Sequence, residues 1–437
     1  MANLKEYKLG NIANIVVSNV DKKTTPNQKT VKLCNFVDVY YNWAITKSNY
    51  DSFMTATASD EEISKFSLKK GQVAFTKDSE TRDDIGIPAY IAEDFKDVVL
   101  GYHTALATPD ENIVTGEYLN AFMHSSYIQK YFELNATGSG MRYTLSQQTL
   151  HDIPILAPDL DAQHKIGSLL SKIDRKISIN REINRNLEEL AKQIYDYWFV
   201  QFDFPNKEGK PYKSSGGKMV WNDVLKREIP DGWEVKSVND IATSYRGVGY
   251  SAKDEKSFKD KNIVLILRGN NISNGHIVYD DNTVYVDKSF VSSEQEIKKY
   301  DVIITMSSGS KDHVGKSAMF LFDSPHSYGA FCNKLTPKKN YQFFLANYLH
   351  SEYFIKCIRQ FASGTGINNL TNEHFSKTIF SFPPNKIISD FNMKVEKIYQ
   401  QLGIFEQENM KLISLRDSLL PLLMNGQVTL NSCLSAD

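Results

Sequence analysis

Cysteine is scarce in this chain. Four are present in 437 residues, Cys34, Cys332, Cys357 and Cys433, and no two are spaced as C-x-x-C. That usage argues against a zinc site and a disulfide framework and suits a reducing compartment. Long hydrophobic runs are also missing. No stretch approaches the roughly 18 apolar residues of a membrane span, and residues 1–10 lack the apolar run of a signal peptide. A cytoplasmic location with no membrane partner is therefore expected. Finally, neither sign of charge is in excess: 51 Lys and Arg face 52 Asp and Glu, for a net charge of −1. Residues 1–155 carry 15 basic and 19 acidic side chains, and residues 231–384 carry 18 and 16. Neither segment is the basic body expected of a protein that grips DNA alone. A nucleic-acid ligand would require charge gathered on one face, or a partner that supplies phosphate contacts.

What the chain does contain is nearly the same text twice. Ile12-Ala13 returns as Ile241-Ala242. Lys69-Lys70-Gly71-Gln72-Val73-Ala74-Phe75-Thr76 returns as Lys298-Lys299-Tyr300-Asp301-Val302-Ile303-Ile304-Thr305. Thr108-Pro109 returns as Thr336-Pro337, and Ala136-Thr137-Gly138-Ser139-Gly140 as Ala362-Ser363-Gly364-Thr365-Gly366. A period this long marks a duplicated domain, not a solenoid unit. The copies share hydrophobic pattern and glycine positions but differ in most polar residues. Two alike scaffolds with different polar surfaces suggest one molecule that recognises two different things.

Within each copy, short β-rich runs (30–39, 72–76, 88–91 and 98–106, then 262–268, 301–306 and 318–322) precede one helix, at 117–134 and 342–361. A heptad helix follows each copy. Over 160–198 the seam holds Ile166, Leu170, Ile173, Ile177, Asn180, Asn184, Leu187, Ala191, Ile194 and Trp198, spaced strictly four and three. Over 391–423 it holds Phe391, Val395, Ile398, Leu402, Phe405, Asn409, Leu412, Arg416, Leu419 and Leu423. Such a seam signals a coiled coil. Antiparallel pairing of the two helices sets Ile166 beside Leu423 and Asn180 opposite Asn409, a pair that would fix register. Arg416 on the seam suggests a frayed or partner-covered end. Gly, Pro, Ser and Lys in the segment before Trp233 read as a surface crossover. The predicted fold is α+β: two repeated mixed α/β domains at 1–155 and 233–383, helices at 156–200 and 384–425 forming an antiparallel coiled coil, a linker at 201–232 and a tail at 426–437.

Several segments add specificity. They are Tyr7-Lys8-Leu9-Gly10-Asn11-Ile12-Ala13, Trp198-Phe199-Val200-Gln201-Phe202-Asp203-Phe204-Pro205, Gly209-Lys210-Pro211-Tyr212-Lys213-Ser214-Ser215-Gly216-Gly217-Lys218-Met219, Ile229-Pro230-Asp231-Gly232-Trp233 and Leu415-Arg416-Asp417-Ser418-Leu419-Leu420-Pro421-Leu422-Leu423. With the order of domains and helices, they make the whole chain resemble the specificity subunit of type I restriction–modification systems. The resemblance implies that each repeated domain reads one half of a split, asymmetric site on double-stranded DNA. It implies that the helices space the domains and dock two methyltransferase subunits, with two restriction (motor–nuclease) subunits completing the complex. It further implies that the chain is not catalytic and carries no cofactor, S-adenosylmethionine belonging to the methyltransferase partner and ATP with Mg to the restriction partner. From the residues alone, a coiled-coil adaptor with duplicated protein-binding domains stays open.

Base edges are read by donors and acceptors on protruding segments, and phosphates by Lys, Arg and hydroxyls. In the first copy the candidates are Lys22, Lys23, Lys77, Arg82, Tyr102, His103, Ser139, Arg142 and Tyr143. In the second they are Tyr245, Arg246, Arg268, Asn270, Ser308, Ser310, Lys311, Lys316, Thr365, Asn368 and Asn369. On the usual pairings Arg142 suits guanine, and Asn368 or Asn369 suits adenine. A lone loop Lys or Arg is more often simply solvated, and His103, with Phe331 at its repeat position, could equally be packing. Catalytic signatures are missing: there is no Asp/Asn-Pro-Pro-Tyr/Phe segment, and Ser381-Phe382-Pro383-Pro384 is not one. Gly309-Ser310-Lys311-Asp312-His313-Val314-Gly315-Lys316-Ser317 has one residue too many between its glycines for a phosphate-binding loop. The nine histidines show no metal-ligand spacing.

Overall fold

The computed structural model describes residues 4–139, 142–258, 260–279, 283–361 and 368–428. The chain forms two compact units, Met1–Asn180 with Glu408–Asp437, and Arg181–Gln407. Each unit therefore holds one globular domain and about half of each long helix. No helix among the described residues is long and apolar enough to cross a membrane.

In unit 1 the main sheet runs in the order Ala13–Val17, Thr104–Pro109, Val73–Thr76, Pro88–Ile91, Ala44–Ile45. Val73–Thr76 is buried along its whole length, so the two-residue period of a strand feeds two cores. Val73 and Phe75 join Ala105, Ala107, Tyr118, Phe122 and Phe132 on the helical side. Ala74 joins Leu106, Ala89 and Ile91 on the other, against a three-stranded sheet of Met54–Ala58, Lys29–Cys34 and Val98–Leu100. A two-stranded ladder pairs Lys5–Lys8 with Pro154–Ala157, so the domain's entry and exit lie side by side.

Unit 2 repeats this plan. Its main sheet is Ala242–Arg246, Cys332–Pro337, Val302–Thr305, Ser317–Met319. The register is conserved: Ala242 faces Pro337 as Ala13 faces Pro109. Val302 and Ile304 face the helices, and Ile303 faces the smaller sheet side with Ala318 and Cys332. Glu234–Ser237 pairs with Ile379–Phe382 as the closing ladder.

Several sequence expectations need correction. The run 30–39 is not one strand, because Asn35 and Asp38 form a capping box that starts a helix at Phe36–Tyr40. The helix expected at 117–134 is two, Gly116–Met123 and Ser126–Asn135, since the Ser125 hydroxyl accepts from Ile128 N–H and caps a new helix. The helix expected at 342–361 breaks at the same place, between Leu349 and Glu352, with the Ser351 hydroxyl accepting from Phe354 N–H. The segment read as a surface crossover is partly core. Phe202, Phe204, Ile229 and Trp233 are buried, Tyr212 stacks on Phe204 at 4.6 Å, and Met219–Asn222 pairs with Arg227–Pro230. Aromatic burial there outweighs the turn-forming composition.

The long helices span Leu160–Tyr195 and Asn385–Met424. In unit 1, Ile166 and Leu170 share a core with Leu420 and Leu423. The buried Asn180 amide donates to Asn409 Oδ1 at 3.0 Å and to Glu408 Oε2 at 2.7 Å. Glu408 also pairs with Lys176 at 3.2 Å. In unit 2, Ala191, Tyr195 and Trp198 pack with Phe391, Val395, Ile398 and Leu402. The segments thus run antiparallel within each unit. Ile173 and Ile177 are buried, whereas Asn184, Leu187, Leu412 and Leu419 are half-buried. Arg416 is not a frayed end: its guanidinium lies 5.0 Å from the centre of the Trp43 ring, which stacks on the buried His124 at 4.1 Å.

Candidate nucleic-acid interface

A small sheet beside the main one builds the candidate site of unit 1. Asp78–Ser79 continues directly beyond the central strand and pairs with Arg142–Thr144, which pairs in turn with Thr137–Ser139. Gly138 is required here: its φ of 145° and the adjacent Arg142 carbonyl leave no room for a Cβ. The neighbouring Gly101–His103 turn interrupts the run expected to be one strand at 98–106, and His103 sits at φ 73°, a left-handed conformation uncommon outside glycine.

These elements bring Lys77, Tyr102, His103 and Arg142 around Asp78, in a cleft of about 240 Å³ also lined by Thr137 and Thr144. His103 Nδ1 is 2.7 Å from Asp78 Oδ2, and Arg142 Nη2 is 3.4 Å from the same oxygen. The Arg142 guanidinium also touches the His103 ring. Lys77 Nζ lies 3.6 Å from Asp78 Oδ1 and donates to Thr144 Oγ1 at 2.8 Å. Burial alone would raise the Asp78 carboxyl. Hydrogen bonds from Thr144 and His103, with the charges of Lys77 and Arg142, outweigh it and hold Asp78 below the usual carboxylate range. The result is one half-buried anion among two permanent cations and a histidine, with the exposed Arg142 and Tyr102 at its rim. Arg82 lies over the Tyr143 ring at 5.0 Å, beside this cluster. Lys22 and Lys23 are exposed, and Lys23 pairs with Asp21 at 3.3 Å; neither is among the described residues that line the cleft.

Among the described residues, unit 2 repeats the inner ladder of this sheet with other side chains. Ser307–Ser308 pairs with Asn368–Asn369, and the Ser307 hydroxyl donates to Asn369 Oδ1. Phe331, at the position of His103, is exposed, while its carbonyl accepts from Met306 and Ser307 N–H. Ser310 and Lys311 lie in an exposed turn, and Lys316 is half-buried at its end. A strand, Ser317–Met319, follows where a phosphate-binding loop requires a helix, so that near-match is a turn. Tyr245 packs against the buried Lys334, Arg246 is exposed, and Arg268-Gly269-Asn270 forms a turn capped by Asn271, whose Oδ1 accepts from Arg268 N–H at 2.9 Å. Thr365 and the side chains of Ser139 and Asn368 lie outside the described residues.

Sequence reasoning missed Asp78. An acidic residue is a poor candidate for DNA contact by type, and only its position in the repeat, where Ser307 stands in unit 2, could have marked it. Among the described residues, no group of three His, Cys, Asp or Glu could hold a metal ion.

Comparison with known proteins bears directly on this geometry. The model of a family described as type I restriction modification DNA specificity domain matches residues 1–189 and again 230–413. The chain is 25% identical over 486 aligned positions to the HindI specificity subunit of Haemophilus influenzae, covering 98% of this chain and all of that one. It is 32% identical over 210 positions to the EcoKI specificity subunit of Escherichia coli, covering 46% of this chain and 44% of that one. Among solved structures, an S subunit of a type I restriction–modification system from M. genitalium superposes with a TM-score of 0.55 at 15% identity, covering 97% of this chain and 96% of that one.

Proposed function

The chain belongs to the type I restriction–modification DNA specificity family, and from that premise we infer that each of its two units reads one half of a bipartite, asymmetric DNA site. It is a recognition subunit of a restriction–modification complex and not an enzyme in itself. The observation that carries the inference is a short ladder at the same place in both copies, bearing Asp78, His103 and Thr144 in unit 1, with Arg142 at its edge, and Ser307, Phe331 and Asn369 in unit 2. Matching ladders with different donors and acceptors suit two different short sequences.

On this reading the long helices set the gap between half-sites and carry two methyltransferase subunits, and two restriction subunits complete the assembly. S-adenosylmethionine would be bound by the methyltransferase and ATP with Mg by the restriction subunit, all in the cytoplasm. The near-neutral charge fits such sharing, since partners would supply phosphate contacts. The test is genome-wide mapping of methylated adenine with the coding region intact and then deleted. Loss of one split, asymmetric motif is expected. An unchanged methylation map would overturn the reading.

A further inference from the structure

The Asp78 cluster carries more than a general DNA contact. An arginine reads guanine when its guanidinium presents two parallel N–H donors to O6 and N7, and its flexible stem must be held to do so. Arg142 has such a support. It projects from a strand whose next-but-one residue, Thr144, faces Asp78 in register. Its Nη2 is held by the Asp78 carboxylate and lies against the His103 ring. Asp78 is in turn mostly withdrawn from solvent and held ionised by Thr144, His103 and Lys77. About half of the Arg142 side chain remains exposed, against 13% of Asp78, so the cation faces outward and the anion stands behind it. Tyr102, 49% exposed and tilted over His103 with ring centroids 3.7 Å apart, forms the other lip. A carboxylate aimed outward could accept from cytosine N4; buried behind two cations, Asp78 is in no position to.

The geometry points to Arg142 as the reader of a guanine in the half-site recognised by unit 1, with Asp78 and His103 as positioning residues that fix its guanidinium. This rests on the half-site reading above and adds a base identity to it. At the matching described positions of unit 2, Ser307 and Phe331 replace Asp78 and His103.

The experiment uses the full chain with the methyltransferase subunit of its own system. Methylated motifs are mapped for the wild type, Arg142→Ala and Asp78→Asn, the half-site of unit 1 having been assigned by exchange of residues 1–155. Arg142→Ala is expected to make one guanine position of that half-site degenerate while the other half-site keeps every base. Asp78→Asn keeps the shape and loses the charge, and should relax the same position less. A wild-type half-site without guanine, or an Arg142→Ala motif intact at every position, would overturn the proposal. So would uniform weakening on all duplexes, which marks a phosphate contact. Changes in both half-sites would instead sink the modular reading. If Arg142→Ala abolishes methylation altogether, binding of wild-type complex to duplexes with single 7-deazaguanine replacements decides. Loss of N7 at one guanine of that half-site should weaken binding about tenfold, and no response at any guanine there would reject Arg142 as its reader.

Discussion

Beneath the small sheets, the main sheets of the two units solve one packing problem in different ways. In unit 1, Gln72 accepts from Lys69 N–H at 2.7 Å and donates to Thr108 Oγ1 at 2.8 Å. In unit 2 the repeat position holds Asp301, which accepts from Lys298 N–H at 2.8 Å and from the Thr336 hydroxyl at 2.6 Å. The amide needed no counter-charge, and Leu106, two residues before Thr108 on the adjoining strand, is apolar and faces Ala74. The carboxylate does need one: Lys334 stands where Leu106 would be, its Nζ 3.4 Å from Asp301 and donating to Glu296 O at 2.6 Å, with both side chains buried. The copies keep the hydrogen-bonding frame and change charge only in matched sets. The same rule describes Asp78 with its cations against Ser307 with Asn369.

The largest test of independence between the copies is to exchange residues 1–155 for another family member's domain. One half-site should change and the other stay intact, as read by methylation mapping; alteration of both would break the comparison. Next, Lys334→Leu leaves Asp301 buried without a cation and should cost about 3–5 kcal/mol in chemical denaturation. Adding Asp301→Gln recreates the arrangement of unit 1 and should recover most of that loss. A double variant no more stable than the single would show that the two solutions are not interchangeable. A smaller effect is expected in the helix pairing of unit 1, where the core is locked by amides, in contrast to the aromatics of unit 2. Asn180→Ala removes the donor to Asn409 and Glu408 and should cost about 1–3 kcal/mol; an unchanged melting temperature would mean that water replaces the amide without penalty.

The smallest effect at neutral pH concerns histidine. His124 of unit 1 is pushed down to about 3 by burial and by the Arg416 charge, and burial lowers His350 of unit 2 as well. A folded value below the unfolded one means the unfolded chain takes up the proton first. For His124 the stability present above pH 6.5 is therefore lost as pH falls towards 3, by at most about 1.4 kcal/mol per pH unit. Unit 2 also carries His276, raised by the Glu188 carboxylate 3.3 Å away, which contributes in the opposite sense and loses its stabilisation as pH rises through its folded value. Burial lowers His326 of unit 2 as well, so there His276 opposes His326 and His350, whereas in unit 1 His124 adds to the loss of stability in acid. His124→Leu should flatten the acid slope of unit 1, as read by hydrogen exchange in that unit; an unchanged slope would refute the role given to His124.

The duplication, the two long helices and the facing of Asn180 and Asn409 were legible because they depend on period and spacing, which are one-dimensional. The helix breaks before Ser126 and Glu352 were harder to see, since the apolar pattern runs through them and only the capping serines Ser125 and Ser351 interrupt it. The buried aromatics Phe202 and Phe204 were masked by their Pro- and Gly-rich neighbours. Asp78 was illegible for a different reason. Its role depends on a left-handed turn at His103 and a hairpin at Gly138 that bring distant cations to it, and no local pattern encodes that meeting.

The division of the chain also sets a timetable. Unit 2 is one continuous stretch, whereas the seam of unit 1 joins residues before Asn180 to residues after Glu408. On the ribosome, Ile166, Leu170 and Asn180 emerge without Leu423, Leu420 and Asn409 to cover them. At ordinary elongation rates the wait is roughly 10–45 s while residues 181–407 are made. Unit 2 can complete its fold in that interval, so the first domain to be synthesised is the last to be finished.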